Sequence, residues 1–355
     1  MYDTTIYKAI LQELKTIIHE NKHVRGYKLP SERALSVKFG ASRPTIRTAY
    51  QHLIAQGLVE AVHGKGYFIQ IPKATTQPSD SLRAQVVFIT PSMKTNFMQQ
   101  LYTGIANFCE ANDVELSVKL TDESEKKEKK LLESVPYSNY DGAILFPVDN
   151  ESYNEPLLKL SIAKYPTVII DRYIKTLNLS FVSTDNYKAL MDAVKYLYQK
   201  KYKHVVYAAF DSSIATTVEE RINGYHNALL KYYGRTLASN LLTLKSNNKD
   251  YIYNAIKTFL TEHPETDALI ISDSYLSAAT LAISELNIRT PEDLRIVIFD
   301  NEISFADQKR VRPYIIEQEG EKIGYFAAAC LHGQILGNKR IVSKKFPVKI
   351  IDTDA

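Results

Sequence analysis

The sequence lacks the hydrophobic segments of a membrane or secreted protein. None of its apolar stretches approaches the roughly 18 consecutive residues that a transmembrane helix requires. The N-terminal segment MYDTTIYKAILQELK has no basic region, apolar core or cleavage site of the kind that forms a secretory signal peptide. With 45% hydrophobic and 24% charged residues, the composition is that of an ordinary globular protein. These features predict a protein that remains in the cytoplasm.

Cysteine is also scarce. The two cysteines, Cys109 and Cys330, are far apart and lie in amphipathic helical patterns, so they indicate neither a disulfide framework nor a clustered metal site. Both are interpreted as buried packing residues. The eight histidines show no spacing typical of metal ligands. No metal or other cofactor is therefore predicted.

Motifs that mark common enzyme sites are absent as well. The sequence contains no phosphate loop of the G-x-x-x-x-G-K-[ST] type and no G-x-S-x-G nucleophile turn. No G-x-G-x-x-G follows the first strand of the larger domain. Because no recognisable motif assembles a nucleophile and a base, the chain is predicted not to be an enzyme.

Positive charge is present but unevenly distributed. The chain has a formal net charge of +4. Residues 1–80 contain seven lysines and four arginines against six acidic residues, a surplus of five positive charges, so the remaining residues carry a net charge of −1. A small basic module attached to a nearly neutral larger one is typical of a protein in which one part binds a polyanion such as DNA.

The first 71 residues predict three helices followed by two strands. The first helix runs from about Thr5 to Asn21, where apolar residues recur at three- and four-residue steps. Ser31 and Ser42 are placed to cap the second and third helices, and Gly40 ends the second. The strands LVEAV and YFIQI flank the glycine-containing turn HGKG. This order predicts a winged helix-turn-helix.

The segment LPSERALSVKFGASRPTIRTAYQHLIAQGLVEAVHGKGYFI resembles the DNA-binding domain of the gluconate-repressor (GntR) family, with the similarity extending over about residues 5–71. Arginines on the second helix of such a pair can read guanine edges in the major groove, and the wing approaches the minor groove. The alternative is a protein-interaction module with a basic face. The resemblance implies DNA contacts by Ser31, Arg33, Ser42, Arg43, Thr45, Arg47, Lys65 and Gly66.

A proline-containing polar segment, residues 72–84, has the composition of a linker, and a second domain is predicted over 85–355. In this domain, nearly continuous apolar strands alternate with helix-length segments, and FPVKII is the last predicted strand. Such alternation predicts parallel sheets covered by helices on both faces, here in two lobes. The predicted fold class is α/β overall: an α+β winged helix-turn-helix followed by a doubly wound, two-lobed domain.

The second domain resembles the sugar-sensing domain of the lactose/galactose repressor (LacI/GalR) family and the related periplasmic sugar-binding proteins. The strings that carry the resemblance include TNFMQQLYTGI, DGAILFP, IIDR, STDNYKA, EERINGY, ISDSYLSA and IRTPEDLRIVIFDN. Together with the gluconate-repressor type of head, they resemble the arabinose-repressor (AraR) subgroup. This resemblance implies a homodimeric repressor of carbohydrate-utilisation genes that leaves its DNA operator when a small sugar binds between the lobes.

The same resemblance implies an effector site at the carboxyl ends of the strands, where this fold binds its ligands. Arginine and carboxylate groups suit sugar hydroxyls because each offers two hydrogen bonds in one plane. Each residue also has a structural alternative, since a strand-ending aspartate often caps a helix and a single arginine often forms an ion pair. The implied effector residues are Thr95, Phe97, Met98, Asp171, Arg172, Arg221, Ser272, Asp273, Asp300 and Gln318.

Two departures from the family pattern leave the effector open. Thr95-Asn96 stands where the lactose repressor has asparagine-proline, and Ser272 stands where an asparagine is usual. A purine or another non-sugar effector is therefore the alternative to a monosaccharide. A transport binding protein is excluded by the missing signal peptide and by the DNA-binding head. Tyr173 and Tyr275 are further candidates for aromatic residues in the cleft.

Overall fold

A computed structural model of the chain describes residues 4–21, 27–55, 58–62, 64–69, 83–148, 155–174, 176–211, 215–234, 240–302 and 305–354. The chain divides into two compact units: Met1–Leu82 with Pro136–Ser138, and Arg83–Val135 with Asn139–Ala355. Most of the predicted linker, up to residue 82, lies outside the described residues. In the part of the chain that the structure describes, no helix combines the length and apolarity needed to cross a bilayer.

The first unit contains three helices and an antiparallel hairpin, as predicted. The elements are α1 (Thr4–Glu20), α2 (Glu32–Phe39), α3 (Arg43–Ala55), β1 (Val59–Val62) and β2 (Gly66–Ile69). The Ser31 hydroxyl accepts a hydrogen bond from the amide of Ala34, and the Ser42 hydroxyl accepts one from the amide of Thr45. Gly40 ends α2 with φ of +61°, a left-handed conformation that glycine adopts without steric cost. Local sequence signals therefore place these helix ends correctly.

The second unit alternates strands and helices. In chain order it contains β3 (Gln85–Thr90), α4 (Asn96–Ala111), β4 (Glu115–Leu120), α5 (Glu125–Ser134), β5 (Gly142–Leu145), α6 (Glu155–Ile162), β6 (Thr167–Ile170), β7 (Ser180–Thr184), α7 (Asn186–Gln199), β8 (Val205–Phe210), α8 (Thr216–Tyr233), β9 (Leu241–Leu244), α9 (Lys249–Glu262), β10 (Ala268–Ser272), α10 (Leu276–Glu285), β11 (Arg295–Phe299), α11 (Phe305–Val311), β12 (Tyr314–Gln318), α12 (Gly320–Ile335), β13 (Ser343–Phe346) and β14 (Val348–Asp352).

These strands form two six-stranded sheets, one in each lobe. The first has the order β13-β7-β6-β5-β3-β4 and the second β14-β12-β11-β10-β8-β9. Two lobes with the same strand order confirm the predicted doubly wound architecture. Apolar clusters lie on both faces of each sheet, which is why the central strands are apolar almost throughout. Cys109 packs into one cluster as predicted, but Cys330 is only half-buried, so its interpretation as a buried residue is wrong.

One predicted strand is in fact two. FPVKII is divided at Pro347, with β13 pairing to β7 in the first lobe and β14 pairing to β12 in the second. Proline has no amide hydrogen to donate and restricts its own backbone, so a strand that contains it breaks readily at that point. In addition, β14 runs antiparallel to β12, whereas the other pairs in both sheets are parallel. The chain thereby crosses between the lobes at Pro347.

Gly224 provides a test of the packing in the second lobe. A methyl group at Gly224 in α8 would lie 2.1 Å from the carbonyl oxygen of Tyr187 in α7. We expect Gly224→Ala to lower the free energy of unfolding by about 3 kcal/mol, since the two helix backbones must separate. Gly333 in α12 is the matched control, because the nearest atom to its added methyl group is 3.9 Å away. Gly333→Ala should be neutral or stabilise by up to about 1 kcal/mol. Thermal unfolding of both variants checks this, and equal effects would contradict it.

Candidate functional site

The surface of the first unit presents the residues that the sequence predicts to contact DNA. Of these eight residues, seven are exposed and Thr45 is half-buried. Ser31 and Ser42 also serve as the N-caps of α2 and α3. Within the described residues, neither Arg33 nor Arg43 forms an ion pair. These two guanidinium groups are therefore accessible to a polyanion.

Arg47 is held by a network that the sequence analysis did not anticipate. Its Nε and Nη2 atoms donate to the two carboxylate oxygens of Glu32 at 3.1 and 3.0 Å. The Tyr67 hydroxyl donates to the same carboxylate at 2.7 Å, and the Tyr67 ring stacks on Tyr50 with 3.7 Å between centroids. The hydrogen bond from Arg47 lowers the pKa of Glu32. Glu32 therefore fixes the guanidinium plane of Arg47 and links α2, α3 and the wing strand β2.

In the second unit, two aspartates occupy equivalent positions in the two lobes. Asp171 follows β6 and its amide donates to Val182 in β7, while Asp300 follows β11 and its amide donates to Ile316 in β12. Both have left-handed backbones, with φ of +67° and +76°. Such conformations are uncommon outside glycine, although aspartate tolerates them better than most residues, and they cluster at functional sites. Asp171 is buried and Asp300 is half-buried.

The carboxyl groups at these strand ends lie close enough to perturb one another. Loss of hydration raises the pKa of Asp300 to about 7, although Arg221 opposes the shift and Gln318 donates a hydrogen bond at 2.6 Å. Burial likewise raises the pKa of Asp171, and the positive charges of Arg172 and Arg221 partly offset it. The pKa of Asp273 is raised by burial too. Groups with such shifted pKa values in one cluster are typical of binding sites.

Arg221 is the cation shared by the two strand-end aspartates. Its guanidinium carbon lies 3.6 Å from the centroid of the Phe299 ring, and its Nε donates to Asn186 Oδ1 at 2.7 Å. The aromatic ring and the amide hold the guanidinium plane in one orientation. Asn186 begins α7 and Phe299 ends β11, so the side chain of Arg221 in α8 is positioned by two neighbouring elements.

Contacts between the lobes show that the two sets of strand ends face each other. Thr184 at the end of β7 donates to Gln318 at the end of β12 with 2.5 Å between oxygens. The amide of Asn96, in the first turn of α4, donates to the carboxylate of Glu302 in the second lobe. The amide of Glu302 in turn donates to Asp273 at 3.1 Å. A ligand between the strand ends would therefore contact both lobes.

The predicted effector residues thus fall into two groups. Asp171, Arg172, Arg221, Asp273, Asp300 and Gln318 are linked by hydrogen bonds or by their mutual effects on pKa. Thr95 is exposed and caps α4, while Phe97 and Met98 pack partly against the apolar core of the first lobe. Ser272 donates to Asp273 at 3.3 Å. Tyr275 is buried and donates to Asn247, which is a packing role.

Sequence reasoning missed three residues of this cluster: Glu220, Asn186 and Phe299. All three lie in the segments that carry the family resemblance: Glu220 in EERINGY, Asn186 in STDNYKA and Phe299 in IRTPEDLRIVIFDN. The signal that could have identified two of them was their position in the sequence, because Glu220 directly precedes Arg221 and Phe299 directly precedes Asp300. The side chain of Glu220 accepts a hydrogen bond from Tyr173 at 2.6 Å and one from Lys345 at 2.5 Å.

A separate pocket of about 680 Å³ lies beside this cluster. It is lined by Gln100, Glu317, Gln318, Glu319, Glu321, Lys322, Tyr325, Phe326, Phe346 and Lys349. It shares only Gln318 with the predicted effector residues, and Glu321, Lys322 and Tyr325 on its wall are exposed. The candidate site lies at the strand ends instead, because among the described residues the carboxyl groups there have raised pKa values and interact with the positioned guanidinium of Arg221.

A helix-turn-helix head and a two-lobed domain with a polar cluster between its lobes define a DNA-binding transcription regulator that responds to a small molecule. Residues 83–338 match the family model described as periplasmic binding proteins and sugar binding domain of LacI family. Residues 6–69 match the model described as bacterial regulatory proteins, gntR family. The chain therefore belongs to the LacI-type sugar-binding-domain family and carries a head of the gntR family, as the sequence resemblance implied.

Similar proteins agree with this assignment. "Probable HTH-type transcriptional regulator EndR" of Paenibacillus polymyxa is 28% identical over 223 residues, 61% of this chain and 63% of that protein. The arabinose metabolism transcriptional repressor of Halalkalibacterium halodurans is 23% identical over 307 residues, 84% of this chain and 80% of that protein. The transcription regulator CcpA of Lactococcus lactis shares the fold, with a TM-score of 0.64 at 18% identity over 76% of this chain and 98% of that one. These proteins are regulators, so the prediction that the chain is not an enzyme is confirmed.

Proposed function

We propose that the protein represses carbohydrate-utilisation genes and is released from its operator when a monosaccharide binds between the lobes. The observation that carries the proposal is the pair of equivalent strand-end aspartates, Asp171 and Asp300, whose pKa values are both lowered by the charge of Arg221. Carboxylate and guanidinium groups match the paired hydroxyls of a sugar, and a buried hydroxyl that lacks a partner is costly. The repressor of arabinose metabolism among the similar proteins supports a sugar effector.

The proposed organisation has three parts: a DNA-binding head at residues 1–71, a linker at 72–84 and an effector domain at 85–355. A ligand that contacts both lobes binds the closed form better than the open one and shifts the population toward closure. We propose that closure changes the spacing at which two heads meet successive major grooves. A coupling free energy of about 1–3 kcal/mol would change operator affinity about five- to 150-fold.

A homodimer is part of this proposal, and so is a cytoplasmic location, where operator DNA lies. One short recognition helix makes too few DNA contacts for tight specific binding by a single chain. Tyr102 on α4 and Leu281 on α10 are apolar side chains exposed by 38% and 61%, which supports pairing through these helices. Solution scattering from residues 80–355 should give the mass of a dimer. A monomer at micromolar concentration that also fails to pair on DNA would exclude it.

The experiment that tests the function begins with a thermal-shift screen of monosaccharides against nucleobases. Operator affinity is then measured with and without the ligand that stabilises the protein most. A monosaccharide that stabilises the protein and weakens operator binding at least about fivefold would support the proposal. A nucleobase as the stabilising ligand would favour the purine alternative. Tight sugar binding with unchanged operator affinity would refute release.

The proposed DNA interface has its own test in the recognition helix. We expect Arg43→Ala to weaken specific operator binding by about 1–3 kcal/mol, because a bidentate base contact is lost. Arg47→Ala should weaken binding as well, because it removes the guanidinium that Glu32 orients on the same helix. Effector binding should stay unchanged. Gel shifts at one fixed salt concentration measure the effect, and Arg340→Ala, which removes an exposed arginine from the second unit, is the control. If Arg43→Ala binds the operator like Arg340→Ala, the assignment of α3 is wrong.

A further inference from the structure

Two carboxylate oxygens between the lobes are buried without a hydrogen-bond partner among the residues that the structure describes. They are Oδ1 of Asp171 and Oε2 of Glu220. Asp171 is only 7% exposed to solvent. A buried acceptor left unpaired costs free energy, so a cluster that retains two of them is incomplete by itself. The missing partners are hydrogen-bond donors.

Glu220 belongs to this cluster by position and by charge. It lies in α8 next to Arg221, yet its Oε1 atom accepts hydrogen bonds from Tyr173 and Lys345 of the first lobe. Its negative charge raises the pKa of Asp171, which places the two carboxyl groups within electrostatic reach of each other. Glu220 thus joins the two lobes at the same place as the strand-end aspartates, with one oxygen still available.

Acidic side chains outnumber basic ones at this place. The carboxyl groups are those of Asp171, Glu220, Asp273, Asp300 and Glu302, and the cations are those of Arg172, Arg221 and Lys345. Five acidic groups therefore lie near three basic ones, and the raised pKa values of Asp171, Asp273 and Asp300 mean that this environment disfavours negative charge. A ligand that brought a further negative charge into this partly dehydrated cluster would be repelled, whereas hydroxyl or ammonium groups would donate to the unpaired oxygens.

We infer that Glu220, together with Asp171, makes the site select a polyhydroxy or amino-substituted effector that carries no negative charge, and exclude sugar acids and sugar phosphates. This inference rests on the proposed function, since it names the class of sugar that the same site accepts. Glu220 acts as the discriminating residue, because Lys345 occupies only its Oε1 atom, while its buried Oε2 atom has no donor among the described residues and would face an anionic group of the ligand.

The first test compares neutral and cationic sugars with acids or phosphates derived from the same sugars. Calorimetry on the full-length chain at pH 7.5 uses glucose, glucosamine and glucose 6-phosphate, then galactose, galactosamine and galacturonic acid, then arabinose and arabinonic acid. We expect the tightest ligand to be neutral or cationic and its anionic counterpart to bind at least about tenfold more weakly. An acid or phosphate that binds more tightly than its neutral counterpart overturns the inference while leaving a sugar effector in place. Failure of all eight to bind overturns the proposed sugar function and this inference with it.

The second test removes the charge of Glu220. Glu220→Gln keeps the shape of the side chain, so the affinity ratio between the neutral ligand and its anionic counterpart should fall about tenfold or more. Glu219→Gln is the matched control, because it removes the same charge from the exposed neighbouring position. A purely structural role of Glu220 would weaken both ligands equally. An unchanged ratio in Glu220→Gln, or the same change in both variants, would show that Glu220 does not discriminate.

Discussion

Arg221→Ala is expected to weaken effector binding by about 30-fold to several thousandfold, the equivalent of about 2–5 kcal/mol. The effect should be large because Arg221 is the cation that lowers the pKa of both Asp171 and Asp300. Its removal takes away a donor to the ligand and also leaves two carboxyl groups without their shared counter-charge. Titration calorimetry with the sugar identified by the screen measures the loss.

The same variant separates effector binding from DNA binding. Operator affinity without ligand should match that of the wild type, while the sugar should no longer release the DNA. Arg289→Ala is the control, since it removes an exposed arginine whose partner, Asp293, lies on the surface of the same lobe. It should respond like the wild type. A normal response by Arg221→Ala would leave the fold intact but would refute this placement of the effector site.

Asp300→Asn is expected to stabilise the ligand-free protein, and most strongly above pH 7. The fold raises the pKa of Asp300 to about 7 from an ordinary value of 3.8, which means that it favours the protonated form. The unfolded chain ionises near pH 4, so the free energy of unfolding falls as pH rises from about 4 to about 7 and then stays level. The difference between these two pKa values corresponds to about 4 kcal/mol, and partial exposure of the carboxyl group reduces this to about 2–4 kcal/mol.

Urea unfolding at pH 5, 6, 7 and 8 measures how the stabilisation by Asp300→Asn changes with pH. The gain from Asp300→Asn should grow from pH 5 to pH 7 and change little above it. Asp293→Asn is a control of opposite sign, because a hydrogen bond from Arg289 lowers the pKa of Asp293 to about 2. That stabilising contribution is fully present above about pH 4, so its loss should be constant over this pH range. A pH-independent gain in Asp300→Asn would contradict the raised pKa.

Stabilisation of Asp300→Asn should come with a loss of effector affinity. Gln318 donates to the carboxylate at 2.6 Å, and an asparagine oxygen can still accept this bond. An amide cannot supply the negative charge that attracts ligand hydroxyls and Arg221. A residue that weakens the empty protein and strengthens the complex is typical of a binding site that is complete only with its ligand.

Local rules predicted much of the first unit. Ser31, Gly40 and Ser42 end or begin helices through contacts within three residues, so their effect can be read from a short segment of sequence. The network of Glu32, Arg47 and Tyr67 could not be read in this way. Its members come from α2, α3 and β2, and only the packing of these elements brings them within hydrogen-bond distance.

In the second unit, too, the sequence predicted some features, whereas others depended on the packing of distant elements. Alternating apolar strands and helices predicted the two mainly parallel sheets, because a strand covered on both faces must be apolar almost throughout. Strand ends then indicated Asp171 and Asp300, since ligands of this fold bind where parallel strands terminate. The sequence could not reveal that Pro347 divides the last predicted strand between two sheets. That outcome depends on where the partner strands of each lobe lie.

The sequence by itself determined the type of protein, with a basic helix-turn-helix head and a two-lobed sensor, and it predicted an effector site at the strand ends. These follow from residue spacing and from motifs whose members are close in the chain. Only the tertiary structure decided which polar side chains share one dehydrated cluster, why Asp300 holds its proton near neutral pH, and that Glu220 joins Asp171 across the lobes. The physical reason is that charge interactions and loss of hydration depend on distance in space, and residues such as Asp171, Arg221 and Asp300 are brought together by folding alone.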